Sequence, residues 1–413
     1  MLTISTLISV ASMPSTRGWT TMIAPGVEMP WVSLGTCCGS NPGVGVHPWL
    51  AASSALGQPV AGIDTAFDYN DQGVIATVLA AASTPRAQVF LTTKIPGAAA
   101  LNGDPRIGCP SLDYRACAVR AVRADLAMLK MAAADLVLLH DPGLANGTAV
   151  TATLWRGMQD AVALGLARSV GVSNFNAMQA CSWRMRGVCT ACAWRGHSVC
   201  TALARLVRSM CMANLTRRKL NEPVAYTHCG PTHCGPTHCG PTHCGPTHYG
   251  CTKSYLLWLY SLWQLDELVA QPTTNILPAV NQISMGVGGG RPEATLAACA
   301  RHRVTAQAYW ALKDCPYSDP VLRAVATAHG PRVSTAMVCV AWVLGRGVLL
   351  AAGTGANTST VAAHTREDLG ATTLVLSADE MARVGEAGER AAARAAAASA
   401  RVVRKPIESQ AAS

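Results

Sequence analysis

Eight short runs of apolar, mostly β-branched residues recur along this chain, and stretches with helical periodicity separate them. Parallel strands joined by crossover helices produce such an alternation. Eight repeats of this unit predict an α/β fold, the (β/α)8 barrel, rather than a doubly wound sheet, because no Gly-x-Gly-x-x-Gly turn follows an early run. The runs span residues 32–37, 62–65, 89–95, 136–140, 169–173, 279–284, 304–309 and 348–352.

The composition is that of a packed globular protein. Half of the residues are hydrophobic and 14% are charged, which excludes a chain that is disordered throughout. A membrane span needs about 18 or more apolar residues, and Arg346 interrupts the best candidate, residues 337–352. We therefore expect no membrane partner.

One segment, residues 180–264, differs from the rest of the chain. It carries nine Lys or Arg residues against one acidic residue, and ten of the 17 cysteines. The unit His-Cys-Gly-Pro-Thr repeats there from His228, and Pro at every fifth position excludes a helix. Because most of the net charge of +10 lies in this segment, we expect no nucleic-acid partner.

The residues on both sides of this segment read as two halves of one helix. Joining Gln179 to Leu265 places Met178, Leu265 and Leu268 on one apolar side. We interpret 180–264 as an in-frame insertion, such as a translated intron, and predict that it is largely disordered and lies outside the barrel. Ordered zinc binding by the repeat is the alternative, but equivalent repeats with no surrounding core do not define a zinc site, and we assign no metal.

This interpretation divides the chain into four parts. We predict an N-terminal extension (1–25), a barrel built from 26–179 and 265–390, the low-complexity insertion within it, and an Ala-rich C-terminal tail (391–413).

Four polar residues follow three consecutive predicted strands at their carboxyl ends. Asp64 and Tyr69 follow the second run, Lys94 lies near the end of the third, and His140 ends the fourth. Each has an ordinary structural explanation when taken alone, such as a turn aspartate or a solvated lysine. Together they converge on the rim where barrel enzymes carry their active sites, and they can perform proton chemistry on a carbonyl group.

With these residues, the chain resembles the aldo-keto reductase family over about residues 26–384, with the insertion left out. Several separated motifs carry the resemblance, and together they are specific. They are Asp64-Thr65-Ala66 followed by Tyr69, Thr93-Lys94, Asp135-Leu-x-Leu-x-His140-x-Pro142, Gly171-Val-Ser-Asn-Phe175, Val280-Asn281-Gln282, Ala308-Tyr309 and the helix start Ser377-x-x-Glu380.

The resemblance implies a TIM barrel closed at its base by an N-terminal β-hairpin, here at 26–31, and NAD(P)H-dependent reduction of aldehydes or ketones to alcohols. Tyr69 would donate the proton to the developing alkoxide, and the Lys94 cation would stabilise the tyrosinate. Asp64 would hold Lys94 by an ion pair, and His140 would orient the carbonyl oxygen.

The resemblance also implies a nicotinamide site on the same rim. It places Ser173, Asn174 and Gln282 at the carboxamide, which an amide side chain suits because it donates and accepts at once, and Tyr309 against the ring. The alternative for Ser173 and Asn174 is an ordinary helix N-cap. Trp310 stands where the family usually has Ser.

The region that binds the cofactor phosphate in this family departs here from the family pattern. The usual Lys after the last strand is absent, and residues 351–355 read Ala-Ala-Gly-Thr-Gly. Gly353 and Thr354 would offer backbone amides to a phosphate, and Arg366 would supply charge. We expect NADPH as the cofactor, with NADH as the alternative and only modest discrimination between them. A second departure is Asp71-Gln72, which replaces a more usual Asn-Glu.

Two other functions remain open: a non-catalytic regulatory or binding subunit, and a non-productive, intron-retaining gene product. The intact set of four polar residues favours the enzyme. We expect a small-molecule carbonyl substrate, a monomer and a cytoplasmic location, although no acidic residue precedes Glu28, which leaves an organellar transit peptide as the alternative. The seven cysteines outside the insertion, including Cys37, Cys38 and Cys339, predict small core residues in a reducing compartment rather than disulfides.

Overall fold

The computed structural model describes residues 18–38, 40–82, 84–101, 103–109, 113–142, 147–176, 264–290 and 292–403. Apart from Gln264, the predicted insertion lies outside the described residues, as does the junction residue Gln179. The interpretation of 180–264 as a disordered insertion therefore stays a prediction. Within the described ranges, no helix combines the length and the apolarity needed to cross a bilayer.

Eight parallel strands close into a barrel in which each strand pairs with the next along the chain and the last pairs with the first. Each of the eight predicted runs coincides with one strand, which confirms the (β/α)8 prediction. A two-stranded antiparallel hairpin, β1 (Thr20–Ala24) and β2 (Val27–Pro30), precedes them. The barrel strands are β3 (Val32–Gly35), β4 (Ala61–Asp64), β5 (Val89–Ile95), β6 (Ala134–Leu139), β7 (Ala167–Ser173), β8 (Val280–Ser284), β9 (Thr305–Tyr309) and β10 (Leu349–Ala352).

The described helices surround this barrel. They are α1 (Pro42–Ala55), α2 (Gln72–Ala81), α3 (Ala98–Leu101), α4 (Tyr114–Leu129), α5 (Gly147–Ala163), α6 (Gln264–Val269), α7 (Glu293–His302), α8 (Pro320–Ala328), α9 (Thr335–Gly345), α10 (Val361–Gly370) and α11 (Ala378–Val403). Four of them, besides α11, begin at a side chain that accepts a hydrogen bond from a free backbone N–H of the first turn, which stabilises the helix start. These capping residues are Asn41, Asp113, Asp319 and Ser334.

The hairpin begins earlier than predicted, since β1 lies within the segment that we assigned to the N-terminal extension. Its turn contains Gly26 in the left-handed region, at φ +69°, a conformation that glycine adopts without steric cost. The Arg168 guanidinium donates to the Gly26 carbonyl oxygen at 2.8 Å. Met29 is buried in an apolar cluster with Phe90 and Leu136 of the barrel. Burial of this apolar face holds the hairpin against the barrel.

The C-terminal helix α11 begins at the predicted capping box and continues into the predicted Ala-rich tail. The Ser377 N–H donates to the Glu380 carboxylate at 2.7 Å, and the Glu380 N–H donates back to the Ser377 hydroxyl at 3.2 Å. Gly388 of this helix lies so close to the carbonyl oxygen of Val287 that a Cβ atom would overlap it. The contact joins the helix to the loop that follows β8.

The prediction of thiols rather than disulfides is wrong for six of the seven cysteines outside the insertion. The structure pairs Cys37 with Cys38, Cys109 with Cys117, and Cys315 with Cys339, while Cys299 is free and buried. The last pair joins the loop after β9 to α9, and only the folded chain brings those segments together. Their apolar sequence context indicated burial but carried no information about pairing.

Candidate active site

The ion pair between Asp64 and Lys94 lies beneath the rim of the barrel. The two residues belong to neighbouring strands, because Asp64 ends β4 and Lys94 lies near the end of β5. Lys94 Nζ lies 2.5 Å from Asp64 Oδ1 and also donates to the Thr65 carbonyl oxygen at 2.8 Å. The Lys94 side chain is fully buried, so this cation depends on its protein partners.

The third contact of Lys94 is the phenol of Tyr69. Tyr69 ends a single 3₁₀ turn, Phe67–Tyr69, that follows β4, and its Oη lies 3.3 Å from Lys94 Nζ. Asn70 leaves this turn in the left-handed region, at φ +55°. The Arg106 guanidinium lies 4.1 Å from the centre of the Phe67 ring and also binds the Asn70 side chain, so it supports the turn that presents the phenol.

His140 lies beside this phenol, directly after β6. Its ring meets the Tyr69 ring edge-on, with 5.6 Å between centroids. Its backbone N–H donates to the Ile95 carbonyl oxygen at 2.9 Å, and its Nδ1 lies 3.1 Å from the Asp68 carboxylate. Asp68 was not among the predicted site residues, although its place inside the motif from Asp64 to Tyr69 could have indicated it. A carboxylate at Nδ1 directs the other ring nitrogen, Nε2, to a different partner.

Opposing influences set the pKa values of Tyr69 and Lys94. Burial raises the pKa of Tyr69 above its usual value; Lys94 opposes this shift, while the Asp64 carboxylate adds to it. Burial also acts to lower the pKa of Lys94, but the Asp64 carboxylate and Tyr69 outweigh it, and the net pKa is raised. Lys94 therefore lowers the pKa of Tyr69, as stabilisation of the tyrosinate requires, but burial is the larger influence and the net pKa is raised.

Gln282 of β8 reaches the same ion pair from across the barrel. Its Nε2 donates to Asp64 Oδ2 at 2.6 Å and to the Gln307 side-chain oxygen at 2.8 Å. Both glutamines are buried. Sequence reasoning missed Gln307, which lies in the middle of β9 and belongs to no motif.

Ser173, Asn174 and Tyr309 form one hydrogen-bonded group. The Tyr309 hydroxyl donates to Asn174 Oδ1 at 2.7 Å, and Asn174 Nδ2 donates to the His140 carbonyl oxygen at 3.0 Å and to the Ser173 hydroxyl at 3.2 Å. Asn174 adopts φ +63°, a left-handed conformation that asparagine tolerates better than most residues. These contacts fix the Tyr309 ring relative to His140.

A cavity of about 380 Å³ connects these side chains with the strand ends on the other side of the barrel. It is lined by Gly35, Cys37, Cys38, Ser40, Asp64, Tyr69, His140, Ser173, Asn174, Gln282, Tyr309, Trp310, Ala311, Leu312, Lys313, Leu350, Ala351, Ala352, Gly353 and Gly355. A cavity of this kind at the carboxyl ends of the strands is where a (β/α)8 enzyme binds its ligands.

The predicted phosphate-binding residues are only partly brought together. Gly353 lines the cavity, whereas Thr354 is buried behind it and its carbonyl oxygen lies 2.9 Å from His364 Nδ1. Arg366 is exposed on α10 and is not among the lining residues. Lys313 does line the cavity, and sequence reasoning missed it.

A buried polar layer lies behind the ion pair. The Thr65 hydroxyl donates to Asp71 at 2.6 Å, and Gln72 Nε2 donates to Asp125 at 2.8 Å. Thr93, the residue before Lys94, donates its hydroxyl to the other Asp125 oxygen at 2.5 Å. Burial raises the pKa of Asp125 to about 6, against hydrogen bonds from Thr93 and Gln72 that lower it. The unusual Asp71-Gln72 pair in the sequence was the signal for this layer.

Comparison with known proteins shows which proteins this chain is similar to. The sequence profile described as "Aldo/keto reductase family" matches residues 53–213. An aldo-keto reductase of Mycolicibacterium vanbaalenii is 34% identical over 115 residues, which are 28% of this chain and 36% of that protein. The 2,5-diketo-D-gluconic acid reductase B of a Corynebacterium species is 33% identical over 143 residues, 33% of this chain and 46% of its own length. The matches thus span less than half of these relatives.

Solved structures extend the likeness of the fold over most of the chain. An aldo-keto reductase of Bombyx mori, solved in complex with NADP, aligns with a TM-score of 0.55 at 20% identity and covers 90% of this chain and 93% of its own. The aldose reductase of Schistosoma japonicum aligns with a TM-score of 0.53 at 16% identity, covering 88% and 89%. At these identities the alignments establish a shared fold.

Proposed function

We propose that this chain is a member of the aldo-keto reductase family and that it reduces an aldehyde or ketone of a small molecule to the alcohol, with NADPH as cofactor and NADH as the alternative. One observation carries the proposal. Lys94 is fully buried and contacts both the Asp64 carboxylate and the Tyr69 hydroxyl at the floor of an open cavity. A barrel that only binds a partner has no need to bury a cation beside a phenol, because such burial costs free energy.

Tyr69 is the proposed proton donor. Reduction of a carbonyl leaves negative charge on its oxygen, and the phenol can transfer a proton to that oxygen as the charge develops. Lys94, at 3.3 Å from the Tyr69 oxygen, then stabilises the tyrosinate that remains. Asp64 keeps Lys94 in place and charged, as the raised pKa of Lys94 indicates. The three residues act as one unit, with Tyr69 alone touching the reacting oxygen.

His140 is proposed to orient the carbonyl oxygen. Its Nδ1 is engaged by Asp68, so Nε2 is the ring nitrogen left for a hydrogen bond to substrate. The edge-on packing against Tyr69 holds the two polar groups next to each other. A carbonyl oxygen that contacts both would be aligned for proton transfer.

The residues around the cavity fit a nicotinamide dinucleotide. Tyr309 presents a ring held by Asn174, Ser173 and Gln282 lie beside it, and Gly353 leaves the wall near β10 open because it has no side chain. Bound there, the dinucleotide would supply the hydride that adds to the carbonyl carbon. We propose that Tyr309 packs against its ring and that Ser173, Asn174 and Gln282 surround its carboxamide. Gly353 would approach a phosphate, with Thr354 behind it, and Arg366 remains a candidate from sequence alone.

Tyr69→Phe tests this proposal. The variant removes one hydroxyl and keeps the ring, so turnover should fall roughly 10²- to 10⁴-fold while dinucleotide affinity stays unchanged. Oxidation of NADPH and of NADH should be followed with a panel of aldehydes and ketones. Tyr114→Phe, at the start of α4 and away from the cavity lining, is the matched control.

Two results would contradict the proposal. Turnover within a few-fold of the parent would remove Tyr69 from the mechanism. A parent chain that binds dinucleotide but reduces no carbonyl in the panel would favour the regulatory subunit.

A further inference from the structure

The cavity contains one lysine and no arginine among the described residues that line it. That lysine is Lys313, in the loop after β9. Lys94 is buried behind the lining and is engaged by Asp64, and Arg366 is exposed elsewhere on α10. The family's usual phosphate-binding Lys after the last strand is absent from residues 351–355. If the cavity binds an anionic group, Lys313 is therefore the cation in place to receive it.

Local geometry holds Lys313 at this position. Its backbone N–H donates to the Trp310 carbonyl oxygen at 3.1 Å, which closes a tight turn. Its Nζ lies 4.2 Å from the centre of the Trp310 ring, within the range of a cation–π contact. Trp310 adopts φ +60° and packs edge-on against Tyr309, with 5.2 Å between ring centroids. Tyr309 at the end of β9 and two residues of the following loop, Trp310 and Lys313, thus form a continuous surface along the cavity.

Packing against a glycine-rich loop fixes the backbone of this turn. A Cβ atom on Gly286 would lie 2.6 Å from the Ala311 carbonyl oxygen, and one on Gly288 would overlap the Asp314 carbonyl oxygen. Only glycine permits such an approach of two backbones. The Cys315–Cys339 disulfide holds the far end of the loop to α9. The position of Lys313 is therefore built into the fold, although its side chain is exposed.

We propose that Lys313 binds the diphosphate of the nicotinamide dinucleotide, an inference that rests on the proposed function. The loop that carries it begins directly after Tyr309, the residue proposed to pack against the nicotinamide ring. The diphosphate joins the nicotinamide half of the cofactor to the adenine half, and NADH and NADPH share it. A cation that lines the same cavity as Tyr309 and Gly353 suits that position.

Equilibrium titration of the full chain with NADPH and with NADH, without a carbonyl substrate, tests the inference. Lys313→Met should weaken both dinucleotides by about 10- to 100-fold, because one charge-assisted hydrogen bond to phosphate is lost. Lys313→Arg should restore most of the affinity. Lys130→Asn is the matched control, since Lys130 is exposed at the C-terminus of α4 in the left-handed region, which asparagine tolerates.

The dependence of affinity on salt concentration provides a second measurement. Affinity for both dinucleotides should decrease with salt in the parent, and less steeply in Lys313→Met, because one screened charge contact is gone. Quenching of Trp310 fluorescence by bound dinucleotide should persist in the variant at saturating concentration. Lys313 is exposed, so the melting temperature should not change and loss of fold would not confuse the result.

Four outcomes would overturn the inference. Unchanged affinity for both dinucleotides removes Lys313 from the cofactor site. A loss for NADPH alone assigns Lys313 to the 2′-phosphate instead of the diphosphate. A higher KM for carboxylate-bearing aldehydes, with neutral aldehydes and dinucleotide affinity unaffected, assigns it to the substrate. Failure of the parent to bind either dinucleotide overturns the proposed function as well, whereas the first three outcomes leave that function standing.

Discussion

Asp64 and Asp135 are two buried aspartates at opposite ends of the barrel strands, and each is 3% exposed. Asp135, near the start of β6, accepts from Arg86 at 2.8 Å, from Arg168 at 2.9 Å and from the Leu91 N–H at 2.8 Å. Both of its arginines extend into solvent, with side chains 39% and 52% exposed. Asp64, at the end of β4, instead pairs with a lysine that has no exposed surface.

The difference lies in what the cation can do besides forming the ion pair. Solvent screens the arginines of Asp135, and their remaining contacts tie backbone segments together, as Arg168 does at Gly26. Lys94 is shielded from solvent, so its charge acts on the nearest polarisable group, which is the Tyr69 phenol. Under the proposed function, an equally buried carboxylate thus serves structure at one end of the strands and chemistry at the other.

Removing the cation at each end should give the largest contrast. Lys94→Met leaves the Asp64 carboxylate buried without its cation and should lower the free energy of unfolding by about 3–5 kcal/mol. Arg168→Met leaves Asp135 with Arg86 and the Leu91 N–H, and should cost about 1 kcal/mol or less because the arginine is half exposed.

Urea denaturation of the two variants and the parent measures both costs. Turnover should disappear with Lys94→Met and stay near the parent value with Arg168→Met. Equal losses of stability would show that exposure of the cation does not separate the two ion pairs.

A third buried aspartate, Asp125, sharpens the comparison because no cation among the described residues forms an ion pair with it. Asp125 accepts hydrogen bonds from the side chains of Thr93 and Gln72, and burial raises its pKa to about 6. Its ordinary value is 3.8, so the folded state holds this proton more tightly than the unfolded chain does. Its contribution to stability is therefore complete below about pH 4 and is lost as the pH rises through about 6.

Asp125→Asn should remove this loss. The parent should lose about 2–3 kcal/mol more than the variant between pH 4 and pH 7, as the pKa difference of about two units implies. Denaturation at several pH values measures it. Parallel pH profiles for the two chains would contradict the assignment of this titration to Asp125.

Asp68 gives the smallest expected effect, because its carboxylate is 40% exposed and pairs with a histidine. Asp68→Asn should lower kcat/KM about fivefold or less, the range of a solvent-exposed polar pair. The ¹⁵N NMR signals of His140 should also shift, since Asp68 selects the protonated ring nitrogen. A hundredfold loss of kcat/KM would instead place Asp68 in the proton transfer itself.

The barrel and its four polar residues could be predicted because the signals are local. Each strand is a short apolar run, and Asp64, Lys94 and His140 lie at or near a strand end, where the fold alone brings them together. The disulfides, β1 of the hairpin and the Asp125 layer were missed. Each depends on contacts between segments that are far apart in sequence, and no periodic pattern encodes them.

The residues predicted to bind a phosphate show the same limit of prediction from sequence. Arg366 was chosen because it follows the last strand, but α10 carries it away from the cavity lining. Lys313 follows a different strand, and its position in the cavity lining depends on a turn that no sequence motif predicts. Motif position therefore predicted side chains on strands better than side chains on the loops that connect strands to helices.

Two of the glycine contacts described above join distant parts of the chain in one series. Gly388 of the C-terminal helix lies against Val287, Gly288 lies against Asp314, and Asp314 is the neighbour of Lys313. Because backbone meets backbone at each step, there is no flexible side chain to absorb a displacement. We therefore expect a displacement of the last helix to reach the loop that carries Lys313 on the cavity wall, so that shortening this helix would change the shape of the cavity more than the contact between Asp64 and Lys94.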